Sequence, residues 1–276
     1  MAEISPSESH RRAPCKRLWI GSALLLLPIL AVLGYFLLRE FTVPRRAVDY
    51  EPRCERKMRN LGHALWSYAA THRGLLPPAF ATDSDGNRLY SWRVLLTPYL
   101  DHQAFYEAYD LDQPWDHPEN FKRANGIYYF YTCPVSRTSN QRRRSELVSE
   151  RPTDYVAVVG SGTAFPGKER VSMDLISLRD GLENTIMLVE IANSNIHWSE
   201  PRDLEFEEMS FKVNDRTKPS ISSPHEDGPG VVFADGSFAR LSPSIPPEVV
   251  KGLLTVDGGE EISRSELEEL GWVNYR

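Results

Sequence analysis

The sequence predicts an α+β protein carried on an N-terminal transmembrane helix, and three observations predict it. Leu18 to Leu38 is a run of 21 residues without a charge. Behind it, apolar residues recur at helical spacing from Pro52 to His72. The second half of the chain carries short, β-branched runs bounded by turn signals, which read as an antiparallel sheet. Helices come first and strands after, without the alternation that would argue for a dinucleotide-binding fold.

At ~1.5 Å per residue the first element spans about 30 Å, the thickness of a bilayer's hydrocarbon core. Nine of its residues are Leu, joined by Ile20, Ile29, Val32 and Phe36. At roughly −0.3 to −0.6 kcal/mol each, these favour insertion by about 4 to 8 kcal/mol, which Pro28 and the small residues reduce without reversing. Trp19 and Tyr35 stand near the ends, as interfacial aromatics do. A cleaved signal peptide would have a shorter core and a small-residue cleavage site, whereas this run closes on Leu37-Leu38-Arg39-Glu40-Phe41. Charge does not orient the span: Arg11, Arg12, Lys16 and Arg17 precede it, and Arg39, Arg45, Arg46 and Arg53 follow. The short tail fits a signal anchor. The expected organisation is a cytoplasmic tail (1–17), a membrane helix in contact with lipid (18–38), a charged juxtamembrane linker (39–51), an extracytoplasmic α+β domain (52–262) and a C-terminal tail (263–276). The expected location is the cell inner membrane, crossed once.

In the helix from Pro52 to His72, Cys54, Met58, Leu61, Leu65 and Tyr68 are spaced by four, three, four and three residues and share one face. Pro52 suits its first turn, Gly74 its stop, and Pro77-Pro78 forbids continuation. Asp85-Gly86-Asn87 reads as a turn. Ser91 to Tyr109 reads as a second helical region, broken or restarted at Pro98. Tyr155–Val159 and Thr185–Ile191 read as strands. Val231–Ala234 and Phe238–Leu241 read as a hairpin about Asp235-Gly236. Glu248–Leu254 reads as a short helix closed by Gly258-Gly259.

A net charge of −6 gives no support to nucleic-acid binding, which needs an excess of Lys and Arg. Three cysteines are too few for a disulfide-dense scaffold. None of the seven histidines falls in the two-histidine helical zinc motif, and no serine elbow or phosphate-cradling glycine loop is present. Catalytic, cofactor and metal residues are therefore left unassigned, and a non-enzymatic role is expected. His225-Glu226-Asp227 with Asp235 reads either as a metal or acid–base group or, preferably, as a polar loop before a strand. Asp110, Asp112, Asp116 and Glu119 have carboxylates enough for a hard cation but not the EF-hand pattern. The aromatics from Trp115 to Tyr131 read either as core or as a sugar- or peptide-binding surface. Trp115, Trp198 and His225 are the candidates for ligand contact.

Longer phrases carry a resemblance. Asn60-Leu61 and Pro77-Pro78-Ala79 are followed by Ser91-Trp92-Arg93-Val94-Leu95-Leu96-Thr97-Pro98-Tyr99-Leu100. Pro114-Trp115-Asp116-His117-Pro118-Glu119-Asn120 and Thr132-Cys133-Pro134 come next. Later stand Gly160 to Gly167, Asn184-Thr185-Ile186, Trp198 to Leu204, Phe233-Ala234-Asp235-Gly236-Ser237 and Gly258-Gly259-Glu260. In order and number, from about Cys54 to Glu260, they resemble a large paralogous family of planctomycete bacteria with a domain of unknown function behind a prepilin-like N-terminus. That resemblance implies a layout similar to type II secretion pseudopilins and a role in envelope assembly or interaction, with envelope proteins as partners. A binding module for a sugar or peptide is the alternative, and a hydrolase a weaker one. It also implies a disulfide between Cys54 and Cys133 if the domain is extracytoplasmic; two buried free thiols are the alternative. In the resembling family the first cysteine stands where this chain has Met58, and Cys54 lies one turn earlier on the same face. The chain departs from the family at its start: Arg17 precedes the apolar run where a glycine is usual, and Ser22 stands at the usual glutamate position. The departure predicts a retained tail and a permanent anchor.

Overall fold

In a computed structural model of the chain, residues 51–135, 152–258 and 263–276 are described. The apolar run Leu18–Leu38, with the tail and linker beside it, lies outside them. Among the described residues no helix is long and apolar enough to cross a membrane.

The first helix, α1 (Glu51–Thr71), follows the predicted period. Cys54, Met58, Leu61, Leu65 and Tyr68 are all buried, as one continuous stripe. The helix ends where Arg73 and Gly74 both turn left-handed, and the Gly74 amide donates back to the Ala69 carbonyl at 2.8 Å. A hairpin of β1 (Phe80–Thr82) and β2 (Arg88–Ser91) follows, its turn held by the Asp83 carboxylate on the amides of Asp85 and Asn87. The turn is legible in the sequence; its short flanking strands are not.

The region Ser91–Tyr109 is helical in pieces. Ser91 is the last residue of β2, and its side chain caps α2 (Trp92–Leu95). A 3-10 turn from Thr97 to Leu100 carries Pro98 at its start, and α3 (Gln103–Ala108) begins afresh. The aromatic stretch then forms α4 (Pro118–Ala124) and a second 3-10 turn, Tyr128–Tyr131.

The expected strand Tyr155–Val159 divides at Ala157. Its first half, β3 (Tyr155–Val156), joins the main sheet, and β4 (Val158–Val159) runs parallel to another short strand, Leu204–Glu205. After α5 (Met173–Leu178) come β5 (Ile186–Glu190) and that short strand, β6 (Leu204–Glu205). The hairpin of β7 (Gly230–Phe233) and β8 (Phe238–Leu241) turns at Asp235-Gly236 as the sequence indicates. It is followed by α6 (Pro247–Leu253), α7 (Arg264–Glu269) and β9 (Val273–Tyr275). The main sheet is antiparallel, in the order β3-β5-β7-β8-β9.

One boundary is corrected. Residues 263–276, expected to be a tail, are part of the fold: β9 pairs with β8 along the sheet edge, and Leu267 and Val273 are buried. Six helical residues and three strand residues are too short for a periodicity argument. The capping box Ser263–Glu266 was the available signal.

Both faces of the sheet are covered, which is why its central strands are buried at every position. Leu188, Val232 and Phe238 face a core shared with α1, whereas Val189, Val231, Phe233, Ala239 and Leu241 face one shared with Val250, Leu253 and Leu267. The helix lies close on its side of the sheet. A Cβ on Gly62 would stand 2.7 Å from Val232 Cγ1, so only glycine fits there without a shift.

Candidate functional site

Four chain segments deliver polar side chains to one buried point against the sheet. Cys54 comes from the first turn of α1. Cys133 follows the second 3-10 turn, its backbone amide donating to Asp154 Oδ2 at 2.6 Å. His225 comes from the loop before β7, where its amide is held by Ser223 Oγ at 3.1 Å. Glu190 ends β5, directly opposite Tyr155 in the ladder.

The sulfurs of Cys54 and Cys133 and one His225 ring nitrogen all lie within 4.8 Å of one another, and all three residues are buried. No other trio of His, Cys, Asp or Glu ligand atoms is so gathered among the described residues. Cys133 Sγ is 3.3 Å from His225 Nε2, and Glu190 Oε1 is 3.4 Å from the same nitrogen. The other carboxylate oxygen, Glu190 Oε2, accepts from the Gly230 amide at 3.0 Å and lies 3.8 Å from Arg240 Nη1. Arg240 in turn pairs through Nε with Asp227 at 3.1 Å and donates to the Gly228 carbonyl at 2.8 Å.

These neighbours set the protonation states. The Cys54 hydrogen bond and burial raise the Cys133 thiol well above the usual range. Burial alone would lower His225, but its hydrogen bonds to Cys133 and Glu190 win and push it up to about 10. Burial alone would raise Glu190, yet His225, the Gly230 amide and Arg240 hold it below the ordinary value. The Cys133 thiol thus stands beside an imidazolium and a carboxylate. Glu190 Oε1 is buried with His225 Nε2 as its close polar neighbour, and the Tyr155 hydroxyl is buried with no hydrogen-bond partner.

The structure brings together three residues singled out in the sequence for separate reasons. Cys54 and Cys133, which the resemblance pairs, are neighbours and are both free thiols here. His225, which the sequence offers as a ligand contact, joins them. It separates the rest of its supposed group: Asp227 turns to Arg240 and Arg276, and Asp235 caps the hairpin turn through Ser237 and pairs with Arg264. Glu190 went unnoticed inside an apolar strand run.

Trp115 and Trp198 are placed elsewhere. Trp198 is fully buried, stacked on Tyr131, with its indole N–H donating to the Ala124 carbonyl at 2.9 Å. Trp115 packs half-buried against Phe121 and stacks on His197. Both belong to the aromatic core. Asp110, Asp112, Asp116 and Glu119 form no ligand group. Asn120 organises their loop instead: its Oδ1 accepts from the Asp110 amide at 2.9 Å, and its Nδ2 donates to the Asp110 carbonyl at 2.8 Å.

A second buried polar centre joins two of the recurring phrases. Asp203 Oδ1 accepts from the Arg93 guanidinium, from Trp92 Nε1 at 3.2 Å and from the Ala157 amide at 2.9 Å, at the break between β3 and β4. Arg93 Nε donates to the Tyr155 carbonyl at 3.1 Å. Burial pushes the Asp203 carboxyl up to about 6 against the opposing pull of Arg93. Three acceptor contacts and complete enclosure make this a structural joint.

Comparison with known proteins gives one result. The profile of a family described as protein of unknown function (DUF1559) matches residues 52–220. No curated protein and no solved structure matches.

Proposed function

This chain belongs to the DUF1559 family of proteins of unknown function, and we propose that it is a membrane-anchored, extracytoplasmic protein with a pseudopilin-like domain, acting without catalysis in assembly or interaction at the cell envelope. The observation that carries the proposal is the uncharged run Leu18–Leu38, which stands a short linker ahead of α1. The family match beginning at residue 52 and an α+β unit opening on a 21-residue helix support the same layout. A sugar- or peptide-binding module is less well supported, because Trp198 presents no surface to a ligand.

Two measurements test this reading. Alkaline carbonate treatment of native membranes leaves the full chain in the membrane fraction, and a chain beginning near Val48 is released. Affinity capture of the detergent-solubilised full chain from native membranes recovers envelope proteins. Release of the intact chain by carbonate overturns the anchor, and capture without envelope proteins overturns the interaction role.

A further inference from the structure

We propose that Cys54, Cys133 and His225 bind one soft divalent cation of the zinc class. The proposal is independent of the envelope role, since it rests only on donors the fold brings together. Two sulfurs and one imidazole nitrogen are the donor types such a cation prefers. In a tetrahedral zinc site, bonds of about 2.3 Å to sulfur and about 2.0 Å to nitrogen place these ligand atoms roughly 3.5–3.8 Å apart, close to the spacing seen here. Cys133 Sγ and His225 Nε2 are 3.3 Å apart, and all three donors lie within 4.8 Å. Cys54 lies on α1, and the amides of Cys133 and His225 are held by Asp154 and Ser223, so the set is drawn from three separate segments and not from one loop.

A second observation points to the same spot. Glu190 Oε1 is buried and stands 3.4 Å from His225 Nε2, its close polar neighbour. That carboxylate oxygen, beside the proposed ligand nitrogen, is a further donor in the same buried centre. Charge also closes. Two thiolates neutralise a dication, and Arg240 with Arg276 balances Glu190 with Asp227, so the buried centre carries no net charge when loaded. On binding, each thiol and the imidazole Nε2 release a proton to solvent, and the three freed lone pairs form the bonds to the metal. A disulfide between Cys54 and Cys133 would consume both sulfurs, so bridge and metal exclude each other.

The test uses the full chain, isolated from its native cells in mild detergent without reductant. Thiols are counted after denaturation, and reduced, metal-stripped protein is titrated with Co2+. The expected result is free Cys54 and Cys133 and one Co2+ per chain. The bound cobalt shows a sulfur-to-cobalt charge-transfer band with tetrahedral d–d bands, all displaced by Zn2+. Cys54→Ser and Cys133→Ser lose the charge-transfer band while near-ultraviolet circular dichroism stays native. Cys15→Ser keeps it, and His225→Gln shifts the d–d bands. If the serine variants fail to fold, the wild-type spectrum and His225→Gln still decide. Absence of the band in folded, reduced chain overturns the site, as does its persistence in both serine variants. A Cys54–Cys133 bond in the protein as isolated overturns it too.

Discussion

Arg93 and Asp203 form an ion pair in which neither side chain is more than 1% exposed. They stand 110 residues apart in the chain, and the pair locks α2 to the segment before β6. A buried pair of this kind contributes little over a well-packed apolar alternative, but removing one partner strands the other charge. Arg93→Met and Asp203→Asn should therefore each cost about 3–5 kcal/mol in chemical denaturation. The double variant should cost less than the sum by about 1–3 kcal/mol. Simple additivity would show that the two groups do not share one site.

The same pair sets a pH dependence. The Asp203 carboxyl sits at about 6 in the fold against an ordinary 3.8, so the folded chain holds its proton more tightly than the unfolded one. This contribution to stability is fully present below pH 3.8 and is lost as pH rises through 6. The stability of wild type relative to Asp203→Asn should fall by up to about 3 kcal/mol across that window, read from urea unfolding at each pH. A flat or rising difference would mean that Arg93 outweighs burial and keeps the carboxylate charged throughout.

The approach of α1 to the sheet is testable by compensation. Gly62→Ala places its methyl 2.7 Å from Val232 Cγ1 and should destabilise by about 1–3 kcal/mol, despite the better helix propensity of alanine. Val232→Ala in the same chain removes the opposing methyl groups and should recover part of that loss. If the double variant is no better than the sum of the singles, the contact is not the cause.

The mature N-terminus separates a permanent anchor from a filament subunit. Processing of a pilin-like chain needs a glycine before the apolar run, and Arg17 stands there. Intact mass spectrometry of the full chain from its native cells should find the tail retained. A chain beginning at or near Leu18 would refute the anchor and restore the pilin-like reading.

What the sequence reveals depends on how far apart the cooperating residues lie. The buried face of α1 is legible because its period repeats over about four turns, and the β7–β8 hairpin because Asp235-Gly236 sits between two apolar runs. The break before α3 is announced locally by Pro98, whereas the break at Ala157 is set by a distant partner and leaves no local pattern: the Ala157 amide belongs to Asp203. Cys133 and His225 are 92 residues apart, and nothing in either neighbourhood signals the other. The resemblance brings the two cysteines together, but His225 reads locally as loop. Glu190 hides at the end of an apolar strand, where one carboxylate looks like the start of a turn.

The attachments of α1 bear on how the unit would carry a load. Lys57 Nζ grips the carbonyls of Tyr129 and Thr132 near the start of the helix, and Trp66 Nε1 holds the Ala234 carbonyl past its middle. Near its end, Thr71 meets the Tyr99 hydroxyl. Tension applied at residue 51 along the helix axis would strain these fasteners together, in shear, over about 20 Å of contact. A pull perpendicular to the axis would open them one after another from Cys54 inward. The unit is therefore mechanically anisotropic, stiffest along the direction of its leading helix.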